Sequence, residues 1–183
     1  MLATSLKTGT IFKEDNTPWL VDKYEHTKTG RGGATVKVIA RNLITNQVLE
    51  KRYKATSKVE DADTIRKNAQ YLYQDNGYYF MDPTTFEQFR VKKEVIGDSV
   101  RFLQEGEVVQ LLFFEGNPVS LDLPKTMIFE IESTPPGFKG NTVSNVFKDA
   151  TLTNGAVVKV PSFAKKGDKI KINTASGDYV SKA

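Results

Sequence analysis

No stretch of this chain carries a sustained 3.6-residue hydrophobic period, and that bounds what it can fold into. Apolar residues instead come in short alternating runs, each closed within a few residues by glycine, asparagine, aspartate or proline. Thr10-Ile11-Phe12-Lys13 leads to a turn at Glu14-Asp15-Asn16-Thr17-Pro18, then to Trp19-Leu20-Val21-Asp22-Lys23-Tyr24. Thr35-Val36-Lys37-Val38-Ile39-Ala40-Arg41 and Val48-Leu49-Glu50-Lys51-Arg52-Tyr53-Lys54 lie on either side of a turn at Thr45-Asn46-Gln47. The expected class is all-β.

The same style recurs twice more. Gln70-Tyr71-Leu72-Tyr73 and Tyr78-Tyr79-Phe80-Met81 flank Asn76-Gly77, which predicts a type I′ hairpin with two positive-φ residues. Asp82-Pro83-Thr84-Thr85-Phe86-Glu87-Gln88-Phe89 reads as a capped helical turn, with Asp82 before a proline at the first helical position. Val108–Phe114 and Pro118–Leu123 flank Glu115-Gly116-Asn117, a further hairpin. Met127–Glu132 alternates, Asn154-Gly155 marks another hairpin, and Lys169–Asn173 follows a turn at Lys166-Gly167-Asp168. The polar stretch Ser57–Asp63 and the segment after Pro124 divide the chain into units 1–63, 64–126 and 127–183, each read as a small β-barrel.

Composition narrows function mainly by exclusion. The 183 residues contain no cysteine, which removes disulfides, thiolate metal sites and cysteine nucleophiles. His26 is the sole histidine, so histidine triads and multi-histidine metal sites are out; the residue itself reads as solvated. No phosphate-binding glycine motif precedes a helix, and pairing of the scattered carboxylates is not visible in sequence. No catalytic residue, metal or cofactor is assigned, and a non-enzymatic binding protein is expected. No apolar run is long enough to span a bilayer and no signal segment is recognised, so a cytoplasmic protein without a membrane partner is expected. The net charge of +4 divides as +3, −2 and +3 over the three units, a pattern that suits contact with a polyanion at both ends and also arises by chance. The tyrosines near Asn76-Gly77 read first as barrel core and second as stacking platforms for bases.

One loop stands out. Lys28-Thr29-Gly30-Arg31-Gly32-Gly33-Ala34 sets a long cation between glycines at a predicted hairpin tip. Locally it reads as a solvated turn; the competing reading is a projecting reach of charge.

Over its whole length the chain resembles bacterial elongation factor P. The opening loop resembles the family's Lys-Pro-Gly-Lys-Gly-x-Ala tip, and Tyr71-Leu72-Tyr73, Phe80-Met81-Asp82 and Thr85-Phe86-Glu87-Gln88 follow at the family's spacing. Pro136-Gly137-Phe138-Lys139-Gly140 stands for the family's Pro-Gly-Leu-Lys-Gly, and Lys148, Ala150, Gly155, Val158, Val160, Pro161 and Gly167 match the C-terminal signature. The chain ends, as the family does, with Ser176-Gly177-Asp178-Tyr179-Val180-Ser181. The resemblance implies an SH3-like (KOW-like) N-terminal barrel followed by two OB-fold barrels in an elongated, tRNA-like monomer. It implies binding to the ribosome beside P-site peptidyl-tRNA, with messenger RNA a further candidate partner, and relief of stalling at consecutive prolines. The general alternatives are an OB-type RNA-binding protein or a paralogue with a different arrest-motif preference.

By the same resemblance Lys28, Gly30, Arg31, Gly32 and Gly33 form the tip near the peptidyl-transferase centre. Gly140, Asn141 and Thr142 correspond to the loop that approaches the exit-site codon, and Tyr179 and Lys182 are candidate tRNA contacts. Three departures from the family pattern are present. Arg31 replaces the commoner lysine; a guanidinium stays protonated and is a poor acyl acceptor, which disfavours β-lysylation. Some arginine-type members carry rhamnose there, so Arg31 is a candidate modification site with an enzyme partner. Gly140–Asn145 follows the family's Gly-Asp-Thr-Ala-Gly-Thr only in part, and Ala164 replaces a branched aliphatic, a packing change.

Overall fold

The computed structural model describes residues 1–29, 33–136 and 147–183, and among these it places three five-stranded antiparallel sheets. The first holds β1 (Ile11–Glu14), β2 (Thr17–Thr29), β3 (Gly33–Asn42), β4 (Val48–Lys54) and β5 (Glu60–Asp61), in the order β4-β3-β2-β1-β5. The second holds β6 (Thr64–Gln74), β7 (Tyr78–Met81), β8 (Gln88–Val91), β9 (Val108–Phe114) and β10 (Asn117–Asp122), in the order β10-β9-β6-β7-β8. The third holds β11 (Thr126–Ser133), β12 (Phe147–Leu152), β13 (Val157–Pro161), β14 (Lys169–Asn173) and β15 (Tyr179–Lys182), in the order β13-β12-β11-β14-β15. The second and third sheets thus share one connectivity. The all-β expectation holds.

Each sheet follows from two-residue alternation. On β11 Met127, Phe129 and Ile131 are buried while Ile128 is exposed, and β14 turns Ile170 and Ile172 inward with Lys169 and Lys171 outward. The tight type I′ turns are at Asp15-Asn16 (φ 52° and 56°) and Glu115-Gly116 (φ 48° and 80°), where two positive-φ residues match the strand twist.

Asn76-Gly77 joins β6 and β7 as expected, but not by a type I′ turn: neither residue is among those with positive φ. Gln74 pairs with Tyr78, leaving a three-residue connection in which the Asp75 amide donates to the Gly77 carbonyl at 2.9 Å. The Arg90 side chain lies across Gly77, its guanidinium donating to the Asn76 carbonyl, so a Cβ at Gly77 would displace it.

The capped helical turn at Asp82 forms, as a single turn closed by the Phe86 amide donating to the Asp82 carbonyl at 2.9 Å. Asp82 Oδ1 accepts from the amides of Thr84 (2.8 Å) and Thr85 (3.1 Å), and these bonds hold its carboxyl below the usual range. The turn stops at Phe86, whose φ of 60° leaves the helical region, and β8 follows at once. Further helical structure appears at α1 (Lys93–Ile96) and in 3-10 segments at Ala3–Ser5 and Gly97–Phe102, which the sequence analysis did not mark.

Three buried clusters correspond to the three sheets. One gathers Leu6, Phe12, Trp19, Val21, Val36, Val38 and Ala40, another Tyr71, Tyr78, Phe80, Val109 and Leu111. The third gathers Phe129, Ile131, Leu152, Val160, Ala164, Ile170 and Ile172, together with Phe102 from the segment before β9. Ala164 is a core position, in keeping with a packing change there. A fourth cluster joins the first two sheets through Leu43, Leu112, Phe114 and Val119. Lys13 Nζ to Glu115 Oε1 at 2.9 Å and Asn46 Nδ2 to the Glu94 carbonyl at 3.1 Å cross the same joint.

Candidate functional site

The β2–β3 hairpin is built to hold its end firmly. Its register runs from Trp19↔Asn42 to Lys28↔Ala34 and Thr29↔Gly33, and β4 supports β3 as far as Thr35↔Lys54. The Ala55 amide then donates to the Ala34 carbonyl at 2.8 Å, so backing strands reach almost to the last pair.

A β-bulge sets which way the hairpin's side chains face. The register slips between Val21 and Lys23, inserting Asp22 as an extra residue. Because side chains alternate, one inserted residue exchanges the two faces beyond it. Tyr24, His26 and Lys28 therefore share the face of Val38, Val36 and Ala34, while Lys23, Glu25 and Thr27 share the opposite one. That opposite face carries an ion-pair chain across three strands: Glu25 Oε2 to Lys37 Nζ at 3.6 Å, Lys37 to Glu50 Oε2 at 3.1 Å, and Arg52 to Glu50 Oε1 at 2.8 Å. The Glu50 contact, with Glu25 behind it, pushes Lys37 upward, and Arg52 then Lys37 hold Glu50 below the usual range. Single pairs of this exposure contribute little; their value is in fixing register across the ribbon.

Two further contacts brace the base. The Lys7 ammonium lies 3.8 Å from the centre of the Tyr24 ring, and Tyr24 Oη donates to the Thr4 carbonyl at 3.4 Å. On the edge strand β4, Lys51 pairs with Glu14 and sits 4.0 Å from the Trp19 ring, while Tyr53 Oη donates to Glu14 Oε1 at 3.0 Å. Burial, then the Glu14 bond, drives the Tyr53 hydroxyl well above its ordinary value. A group raised in the folded state adds stability that is whole below its unfolded pKa of about 10 and is lost as pH climbs towards the folded value. Thermal unfolding of Tyr53→Phe is accordingly expected to fall less steeply than wild type between about pH 10 and 11.5. Parallel slopes in that window would contradict the assignment.

Of the residues singled out in the sequence, Lys28 is exposed at the end of β2, and Gly33 opens β3 with a φ of 77°. Gly30, Arg31 and Gly32, and likewise Gly140, Asn141 and Thr142, lie outside the described residues. His26 is exposed and inclined to Tyr24, ring centres 6.5 Å apart. Tyr179 is half-buried against the third core, and the Lys182 ammonium is 2.7 Å from Asp168 Oδ1. The tyrosine cluster divides: Tyr71 and Tyr78 are core, whereas Tyr73 is 44% exposed and stacks on Tyr79 at 4.8 Å. Among the described residues no group of histidine and carboxylate side chains could hold a metal ion. Sequence reading missed the Asp22 bulge, and no local signal in Val21-Asp22-Lys23 announces it.

Family profiles match in the order of the three sheets. They are described as the elongation factor P KOW-like domain over residues 2–59, the elongation factor P OB domain over 64–121, and elongation factor P, C-terminal, over 127–182. Elongation factor P of Acetivibrio thermocellus is 40% identical over 179 residues, 97% of both chains. That of Oleidesulfovibrio alaskensis is 38% identical over 97% of this chain and 96% of its own length. Among solved structures, the eukaryotic translation initiation factor 5A from Methanococcus jannaschii superposes with a TM-score of 0.56 at 21% identity. It covers 67% of this chain and 92% of its own, a likeness of fold.

Proposed function

This chain belongs to the elongation factor P family and is a translation elongation factor, and we propose that it binds the ribosome beside P-site peptidyl-tRNA and stimulates peptide-bond formation at polyproline stalls. The β2–β3 register carries this reading, since it pairs Thr29 with Gly33 on a backed ribbon and leaves Gly30-Arg31-Gly32 as the connection. Arg31 would reach the CCA end and make charge-assisted hydrogen bonds to phosphate and sugar oxygens. Proline's constrained chain holds the reacting ester out of line, and a fixed cation beside the acceptor end favours the near-attack geometry. The protein itself makes and breaks no bond in this scheme; the help is positional. Lys28 adds a second positive charge on the same ribbon, Tyr179 and Lys182 are tRNA contacts, and Gly140-Asn141-Thr142 reaches towards messenger RNA. The reading includes cytoplasmic location, a monomer, and domains at 1–63, 64–126 and 127–183; among the described residues no helix is long and apolar enough to cross a membrane.

The test is reconstituted translation of a message encoding consecutive prolines. Arg31→Ala is expected to slow relief of the stall by about ten- to a hundredfold, the loss of one or two hydrogen bonds to a charged group, with circular dichroism unchanged. Full rescue by this variant would sink the role of Arg31. Intact-mass measurement on protein from its native host reads whether Arg31 carries a modification. The exposed Tyr73–Tyr79 stack favours a second reading, general RNA binding without a ribosome. Cosedimentation with ribosomes against binding to free RNA separates the two.

A further inference from the structure

At one end of the third sheet an open cavity of about 640 Å³ is lined by Pro135, Pro136, Lys148, Phe163, Lys165 and Lys166 among others, and among the described residues by no carboxylate. Phe163 is 65% exposed, although it lies in the tight connection between β13 and β14. That connection is fixed from both sides. Ala164 is buried in the core and its amide donates to the Pro161 carbonyl at 3.0 Å. The Lys165 amide donates to Asp168 Oδ2 at 2.9 Å, and the Gly167 amide donates to the Ile131 carbonyl at 2.8 Å. An apolar ring is therefore held out on a rigid turn, with no core to enter.

The charged side chains that line the cavity are, among the described residues, all lysines. Among the described residues Lys165 and Lys166 have no ion-pair partner. The nearest carboxylate in sequence, Asp168, is taken by Lys182 and by the Lys165 amide. Lys148 donates to the Pro135 carbonyl at 2.7 Å, which leaves its charge at the cavity wall. An exposed flat ring with two unpaired cations two and three residues further on matches a base and its flanking phosphates. An acidic peptide would answer the lysines but give the ring no flat partner. Strand two of an OB fold and the loop before it form its usual oligonucleotide side, and here Lys148 on β12 and Pro135-Pro136 after β11 belong to them.

We propose that this cavity binds single-stranded RNA, with one base stacked on Phe163 and neighbouring phosphates on Lys165 and Lys166. The inference rests on the ribosomal reading only in taking the nucleic acid to be RNA, and none of its residues belongs to the Arg31 loop. The probe is a fluorescein-labelled oligouridylate, followed by anisotropy on the full chain across a salt series. Phe163→Ala is expected to weaken binding by about five- to a hundredfold while Phe163→Trp retains it. Lys165→Gln with Lys166→Gln should make the dependence of log K on log salt shallower by about 1.4, two phosphates at 0.7 each. Arg31→Ala should leave this binding unchanged, which keeps the failure of either proposal visible separately. No binding at millimolar oligouridylate, wild-type affinity in Phe163→Ala, an unchanged salt slope, or equal displacement by polyglutamate would each overturn the proposal.

Discussion

Phe102→Ala is expected to cost about 3–5 kcal/mol of stability, the range for truncating a fully buried phenylalanine, and to lower the unfolding temperature by on the order of 10 °C. The residue ends the 3-10 segment that follows β8, yet its ring lies in the third core, 5.8 Å between centres from Phe129 and wholly shielded from solvent. The Arg101 guanidinium lies 5.0 Å from the Phe102 ring centre, and Asn154 Nδ2 donates to the Arg101 carbonyl at 2.8 Å. At Gly177 an added Cβ would already touch both side chains, at 3.5 Å from Arg101 and 3.6 Å from Phe102. The pocket is closed on every side, so truncation leaves a void that β11 and β14 cannot collapse into without breaking register. Calorimetry should also show one transition becoming two, because Phe102 carries the segment after β8 into the third core, beside Leu123, which packs against both the second and third cores. A loss under about 1 kcal/mol with a single transition would show that the ring is peripheral.

Asn42→Ala is expected to cost about 1–3 kcal/mol and to loosen the joint between the first and second sheets. Asn42 is 8% exposed, the one buried polar side chain among the described residues. Its Oδ1 accepts from the amides of Ile44 (2.8 Å) and Thr45 (3.0 Å), which fixes the turn between β3 and β4. That turn delivers Leu43 to the apolar joint and Asn46 to the Glu94 carbonyl. Alanine leaves two donors without an acceptor, whereas Asn42→Asp keeps it. Denaturant midpoints should therefore rank wild type, Asp and then Ala, with faster hydrogen exchange at Leu112 and Phe114 in the alanine variant. Equal midpoints for all three would remove the turn's assigned role.

The candidate site was legible in part. The glycine-flanked Arg31 and the alternating strands beside it can be read from a dozen residues, and the β2–β3 hairpin follows. Its facing could not be read, because the Asp22 bulge exists only once β3 is paired against β2. The same physics divides the tyrosines. Tyr71 and Tyr73, two apart, would share a face in an unbroken strand; a register slip between them sends Tyr71 into the core and Tyr73 out to stack on Tyr79. At Asn76-Gly77 the dipeptide marked the hairpin, but the Gln74–Tyr78 pairing left a three-residue connection in place of a type I′ turn.

By itself, then, the sequence determined the all-β class, the positions of the hairpins and the excluded chemistries. Alternation, turn residues and composition act within a few positions and need no partner. Only the tertiary structure decided where Phe102 goes, which face Lys28 shares, and that Phe163 stands exposed on a braced turn. Each of those depends on strands distant in sequence meeting in one register, and no local pattern carries that information.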